Sequence, residues 1–353
     1  MDGSLRMTDV SVVGTHNSYK LAIPQAELEA MLAVNPAAIA LDYSHRPITE
    51  QLEAGARQIE IDVLHDPEGG RYARPVGALG GGVTMGAAFD AAMSRPGFKT
   101  LHMQDVDFRS SCLTFIACLG EIRDWSRANP GHVPILIMLN AKTGASVVPG
   151  GVTALPFDTA AWDALDAEIR SAFDGDALIT PDEVQGSHPT LREAVLARGW
   201  PRLGAARGRV FFALDEGPEK VSAYRGSRAS LEGRAMFVNT DEASSAAAYL
   251  TLNDPVADRD RIAAAVRAGF MVRTRADADT REARAGAVSR RDAALAGGAQ
   301  YVSTDYLWPD PRFPTYEVRL AGAAAAVCNP VTAAAQCGDV AVETLGPVAA
   351  DPR

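Results

Sequence analysis

Arg57-Gln-Ile-Glu-Ile-Asp-Val-Leu64 sets two acids into the otherwise apolar, strand-forming run Ile59 to Leu64. In an extended strand alternate side chains share a face, so Glu60 and Asp62 point one way while Ile59, Ile61 and Val63 point the other. Two carboxylates side by side in an apolar segment are costly unless a positive charge sits between them, and a divalent cation is the simplest candidate. The competing reading is the solvated face of an edge strand, which needs no metal. The surrounding sequence has to choose between them.

Upstream, the apolar run Val10 to Val13 opens into Gly14-Thr-His-Asn-Ser-Tyr19, the pattern of a buried strand ending in a loop. Helical patterns follow at Pro24 to Val34 and Ile48 to Ala56, separated by Asp42-Tyr-Ser-His-Arg-Pro47. Downstream of the carboxylate strand, His65 to Phe98 reads as a long loop with one short helix, and Gly80 to Gly82 as flexible loop without the context of a nucleotide site. Further strands are expected at Lys99–Met103, Pro134–Leu139, Val210–Leu214, Met236–Asn239, Phe270–Thr274 and Tyr301–Thr304. Helices are expected at Thr114–Ala128, Asp158–Phe173, Leu191–Arg198 and Asp260–Ala268. Eight short apolar runs, most of them separated by helical patterns, have the rhythm of an α/β fold of the TIM-type (β/α)8 class, with distortion allowed and long loops on the C-terminal face. No internal repeat or linker divides residues 1–320, so they are taken as one domain, with residues 321–353 as an Ala-rich tail.

A chain of 353 residues that is 47% hydrophobic and 22% charged can bury a large core. Its net charge of -10, without any run of Lys and Arg, argues against nucleic acid as a partner. No apolar stretch is long enough to span a bilayer. The four cysteines fall as two close pairs, Cys112 with Cys118 and Cys328 with Cys337, which suggests two disulfides and a secreted or periplasmic protein whose leader has been removed. A cytoplasmic protein with a buried Cys118 thiol is the alternative, because Phe115, Cys118, Leu119, Ile122 and Trp125 share one helical face.

At the carboxyl ends of the expected strands the polar residues accumulate: His16 and Asn17, Glu60 and Asp62, His102, Asn140 and Lys142, Asp215, Arg273 and Arg275, and Asp305. His16 and His102 end the strands expected on either side of the carboxylate strand, so both can face a phosphate between them. This set suits phosphodiester cleavage: oxygen ligands hold a hard cation, two imidazoles exchange protons, and Lys or Arg holds charged oxygens. Two carboxylates about neutralise Ca2+, or Mg2+ as the alternative, whereas zinc prefers nitrogen and sulfur.

Gly14-Thr-His-Asn-Ser-Tyr19, Gln58-Ile-Glu-Ile-Asp-Val63 and His102 together resemble the calcium-dependent bacterial phosphoinositide phospholipase C family, within the phospholipase C-like phosphodiesterases. Asp42-Tyr-Ser-His-Arg-Pro47, Ser111-Cys112 and Arg273-Thr-Arg-Ala-Asp277 look like further parts of the pattern, so the resemblance covers roughly residues 10 to 310. It implies a TIM-type barrel, calcium on Asn17, Glu60 and Asp62, and His16 and His102 as the catalytic pair. Attack of an inositol hydroxyl on phosphorus, release of diacylglycerol and formation of a cyclic inositol phosphate are implied as well. Asn140 stands where eukaryotic relatives carry a metal-binding Glu, which makes its amide oxygen the candidate fourth ligand. Lys142, Arg273, Asp215 and Asp305 are the candidate substrate-binding residues.

The expected partners are a phospholipid or inositol phosphodiester substrate and, transiently, a membrane surface; the protein is expected to be a monomer. His65 is ranked below His102, His132 is expected to be structural, His188 carries no signal, and His45 and Arg46 are candidates to reach the active face. The competing functions are a phosphodiesterase of the same fold acting on glycerophosphodiesters or a sphingophospholipid, and a metal-stabilised binding protein without catalysis. The His-Asn pair at residues 16 and 17 counts against the first, and the full set of histidines and carboxylates against the second.

Overall fold

The computed structural model describes residues 2–77, 85–322, 324–337 and 340–345. Gly80 to Gly82 lie outside the described residues. Eleven strands are defined among these residues: β1 (Val10–Thr15), β2 (Gln58–Asp66), β3 (Gly97–Lys99), β4 (Ile135–Ala141), β5 (Val210–Leu214), β6 (Met236–Val238), β7 (Tyr249–Thr251), β8 (Met271–Arg275), β9 (Tyr301–Thr304), β10 (Ala324–Cys328) and β11 (Glu343–Thr344). They form two sheets, ordered β11-β10-β1-β9-β8-β7 and β3-β2-β4-β5-β6. Within these, β1, β9, β8 and β7 pair in parallel, as do β2, β4, β5 and β6. The fold is thus mixed α/β with largely parallel sheets.

Ile135 to Leu139 in β4 and Phe211 to Leu214 in β5 are fully buried, which is why these strands read as continuous apolar runs: parallel strands are covered on both faces. The covering helices carry one apolar face each. In Phe115–Ala128 that face is Phe115, Cys118, Leu119, Ile122 and Trp125. In Thr159–Ala172, started by the Asp158 carboxylate accepting from Ala161 N–H, it is Trp162, Leu165 and Ile169. Cys112 lies just ahead of the first helix and is bonded to Cys118 across a Cα separation of 5.2 Å; Cys328 is bonded to Cys337.

The two sheets approach each other at both ends. A parallel bridge joins Asn239 to Tyr249 between the β6 and β7 edges. Between β1 and β2, Arg57 N–H donates to the Val13 carbonyl at 2.9 Å and Ser18 N–H to the Glu60 carbonyl at 2.9 Å. Gly14 is required here, because a Cβ would lie 2.4 Å from the Gln58 backbone oxygen.

Two expectations need correction. Lys99–Met103 is not a parallel strand beside β2: only Gly97–Lys99 is extended, and it runs antiparallel to the far end of β2, Leu64 facing Lys99. The neighbour of β2 is β4, in register from Gln58 opposite Leu136 to Val63 opposite Ala141. The fully buried Lys99 ammonium is held by Asp66 at 3.0 Å, so this run turns inward on an ion pair instead of continuing as a strand. The missing parallel strand is β7, three residues long and preceded by Ala246 to Ala248, too short and uniform to show alternation. In the Ala-rich tail, β10 adds antiparallel to β1, Val10 facing Cys328. No described helix is long and apolar enough to cross a membrane.

Candidate active site

β1 delivers the first histidine. His16 N–H continues the β1 pairing by donating to the Thr304 carbonyl at 3.0 Å, and Asn17 then takes a positive φ of 48° that reverses the chain. The reversal is held by Ser18, whose hydroxyl lies 2.6 Å from the Thr15 hydroxyl and accepts from Glu60 N–H at 2.8 Å. His16 Nδ1 sits 2.7 Å from Asp305 Oδ1, at the end of β9, and Nε2 sits 3.6 Å from Glu60 Oε1. The Asp305 backbone N–H donates to buried Asp277 at 2.8 Å, and Arg275 Nη2 lies 3.3 Å from Asp305 Oδ2. Burial pushes the His16 imidazole well below the usual histidine range, and the positive charges of Arg275, Arg273, His102 and His45 push the same way.

On β2 the two carboxylates are buried, Glu60 3% and Asp62 0% exposed, which removes the edge-strand reading. Each already has a protein partner: Arg273 Nη2 donates to Glu60 Oε2 at 2.8 Å, and Lys142 Nζ lies 2.9 Å from Asp62 Oδ2. Tyr19 OH also donates to Asp62 Oδ2, at 2.8 Å, while Asp62 Oδ1 is buried with no hydrogen-bond partner among the described residues. Burial raises the Glu60 carboxyl from 4.5 to about 8, further than Arg273 pulls it down, and the Asp62 charge adds to the rise. Burial pulls the Lys142 ammonium down, but Asp62 and Glu60 outweigh it and hold the group above its ordinary value.

Asn140 stands opposite Asp62 in the β2–β4 register and donates its amide N–H to the Asp215 carbonyl, leaving its side-chain oxygen as an acceptor. Asp215 Oδ1 accepts from Asn239 at 3.2 Å, and Asn17 Nδ2 donates to Tyr43 OH at 2.8 Å. His102, displaced from any parallel strand, lies just beyond β3, with Nδ1 2.8 Å from Asp107 Oδ2. Asp107 Oδ2 also lies 3.2 Å from Lys20 Nζ, and Lys20 bridges Ser110, so the loop after β3 packs against the loop that carries His16. Among the expected residues, His16 thus lies against Glu60 and Asp305, Lys142 against Asp62, and Asn140 against Asp215, while His102 meets Asp107.

An unpartnered buried carboxylate oxygen beside a second buried carboxylate, with Asn140 opposite Asp62 in the β2–β4 register, is a donor set that fits a hard cation, and Asn17 sits in the turn whose next residue donates to the Glu60 carbonyl. Among the described residues no three His, Cys, Asp or Glu are grouped for a metal; half of the candidate ligands are amides, which lie outside those residue types. His65 stacks on Phe98 with centroids 5.2 Å apart, and buried His132 bonds Ser126 and the Val133 carbonyl; both are packing residues. His45 does reach the active face, its Nε2 donating to the His16 carbonyl at 2.7 Å. The sequence reading missed Lys20 and Asp107, whose roles come from tertiary contacts that leave no spacing signal; Tyr19, Tyr43 and Asp277 were seen only as parts of motifs.

The family model for Ca2+-dependent phosphoinositide phospholipase C matches residues 5–330. No curated protein matches the chain. Among solved structures, the calcium-dependent phosphoinositol-specific phospholipase C of Pseudomonas sp., in an apo-form myoinositol complex, is similar with a TM-score of 0.56 at 15% identity, covering 92% of this chain and 95% of that one. The Ca2+-dependent phosphatidylinositol-specific phospholipase C of Streptomyces antibioticus is similar at 19% identity and a TM-score of 0.56, covering 93% and 100%. At these identities the structural likeness speaks for the fold, and the family match over nearly the whole chain speaks for kinship. The chain belongs to the Ca2+-dependent phosphoinositide phospholipase C family.

Proposed function

We propose that this protein is a calcium-dependent phosphodiesterase that cleaves a phosphoinositide-type phospholipid, releasing diacylglycerol and a cyclic inositol phosphate. The observation that carries the reading is a pair of histidines, each with Nδ1 on a buried carboxylate, the first with Nε2 3.6 Å from Glu60 on a strand bearing two more buried carboxylates. In this reading Asn17, Glu60, Asp62 and Asn140 would hold Ca2+, with Mg2+ as the alternative, and the ion would supply positive charge to the phosphate. His16 and His102 present Nε2 to the reacting phosphate; one takes the proton of the attacking inositol hydroxyl and the other gives a proton to the departing glycerol oxygen. Lys142 and Arg273 offer positive charge to the phosphate and Asp215 accepts from ring hydroxyls, while Asp305 orients His16.

The two sheets are read as one distorted TIM-type (β/α)8 barrel built from β1, β2 and β4 to β9, supported by the Asn239–Tyr249 bridge and the Arg57–Val13 hydrogen bond. Residues 1–320 then form the catalytic domain and 321–353 a disulfide-tied tail. The two disulfides support an exported protein, and a phospholipid substrate requires transient contact with a membrane surface. A panel of inositol, choline and glycerol phosphodiesters, each with Ca2+ and with EDTA, tests the reading. Calcium-dependent release from inositol lipids alone is expected; preferred cleavage of a choline or glycerol diester, or none, contradicts it.

A further inference from the structure

Lys20 is fully buried, follows the His16 turn by four residues, and takes no part in the chemistry above. Its ammonium lies 3.2 Å from Asp107 Oδ2 and donates to the Tyr43 carbonyl at 3.1 Å. The same Oδ2 receives His102 Nδ1 at 2.8 Å, so one carboxylate oxygen serves both the lysine and the imidazole. Asp107 Oδ1, also buried, has no hydrogen-bond partner among the described residues. A buried ion pair with an unused acceptor is a poor way to gain stability, since desolvation offsets its attraction and an apolar pair of similar volume does as well.

The backbone around the pair is fixed on every side. Met103 N–H donates to the Asp107 carbonyl and Asp107 N–H to the Met103 carbonyl, both at 3.0 Å, closing a tight turn immediately after His102. At its tip Asp105, with a φ of 77°, accepts from Val76 N–H at 2.9 Å and Val152 N–H at 2.7 Å, pinning the turn to both flanking loops. Lys20 pairs with Ser110 in an antiparallel bridge, and Ser111 N–H donates to the Tyr19 carbonyl at 2.8 Å. The loop that carries His16 is thereby stitched to the loop that carries His102.

We propose that Asp107, clamped by the buried ammonium of Lys20, is the positioning residue that locks the His102 imidazole in its Nδ1–H tautomer, leaving Nε2 as the lone-pair nitrogen. The role in turnover rests on the phosphodiesterase reading above; the tautomer lock does not. Lys20 does two things here. Its ammonium holds the same Asp107 Oδ2 that meets His102, and its bond to the Tyr43 carbonyl ties the clamp to the residue whose hydroxyl meets Asn17. Losing the acceptor oxygen at residue 107 frees the ring to rotate and exchange tautomers, which lowers the fraction of enzyme able to transfer the proton without removing any group that holds substrate.

The test is 15N-edited NMR of the histidine rings in substrate-free protein, at a pH where they are neutral, followed by kinetics. Wild-type His102 is expected to show one tautomer, Nδ1–H; a ring averaging over two overturns the proposal without any variant. Lys20→Met/Asp107→Leu exchanges the ion pair for apolar groups and should release the tautomer while His16 keeps its own. Its kcat should fall on the order of 10²-fold with KM within about threefold. Lys20→Met/Asp107→Asn keeps an amide oxygen for Nδ1–H and should retain the tautomer and most of kcat. A first variant with a locked ring and undiminished kcat, or a second that loses as much as the first, overturns the proposal. If the wild type cleaves no phosphodiester at all, the functional reading fails and the NMR result alone decides the lock.

Discussion

Glu60→Gln should make the calcium-free protein more stable while removing its response to calcium. Burial raises the Glu60 carboxyl from 4.5 to about 8. Below an unfolded value near 4.5 both folded and unfolded states carry the proton and the group costs nothing; as pH rises toward 8 the unfolded state releases it and the folded state does not. Stability attributable to Glu60 is therefore full at about pH 4.5 and is lost as pH climbs through that window, on the order of 3 kcal/mol by pH 7. Glutamine cannot ionise, and its side-chain oxygen can still accept from Arg273. Denaturant melts in EDTA from about pH 5 to pH 8 measure this: the two proteins should nearly coincide at the acid end, and the variant should be about 3 kcal/mol ahead near neutrality. Added Ca2+ should then stabilise the wild type by mass action and leave the variant almost unmoved. Parallel pH profiles in EDTA, or equal stabilisation of both proteins by Ca2+, would refute the idea that Glu60 is held at a cost for a cation.

Lys142→Met removes a half-buried cation from Asp62 Oδ2, and calorimetry should show calcium affinity rising about fivefold, from the ~1 kcal/mol such a pair is worth; unchanged affinity would separate Lys142 from the metal site. Burial holds His45 at about 4, against an ordinary 6.5, so its neutral form favours the fold at pH above 6.5 and that advantage is lost as pH falls to 4. The wild type should lose on the order of 3 kcal/mol over that window that His45→Gln does not lose, and superimposable acid curves would contradict this. Thiol titration of denatured, unreduced protein should find no free cysteine, and Cys112→Ala/Cys118→Ala should lower stability by about 2 kcal/mol, the loop entropy of a short bridge; four titrating thiols would reverse the disulfide assignment.

The strands that were legible from sequence are those whose neighbours cover both faces. Val210–Leu214 and Ile135–Ala141 announce themselves because every residue must be apolar. Glu60 and Asp62 were legible for the opposite reason, since acids in such a strand violate the pattern and mark a site. Lys99–Met103 misled because a short alternating run fits a strand equally well whether it lies in a parallel sheet or turns away after three residues; the buried Lys99–Asp66 pair that decides between these is a contact between distant residues. For the same reason His102 was found by type and resemblance, whereas Asp107 and Lys20, which hold it, were not. Asp107 is five residues from His102, but only the Met103–Asp107 turn makes them face each other.

Calcium-dependent cleavage of an inositol phospholipid through His16 and His102 is read out by 31P NMR of phosphatidylinositol vesicles incubated with the protein. The expected result is a cyclic inositol phosphate resonance that grows with Ca2+, vanishes with EDTA, and is reduced on the order of 10² to 10⁴ in rate by His16→Ala and by His102→Ala. An unchanged spectrum with Ca2+ present, or cleavage that persists in EDTA and in both histidine variants, would contradict it.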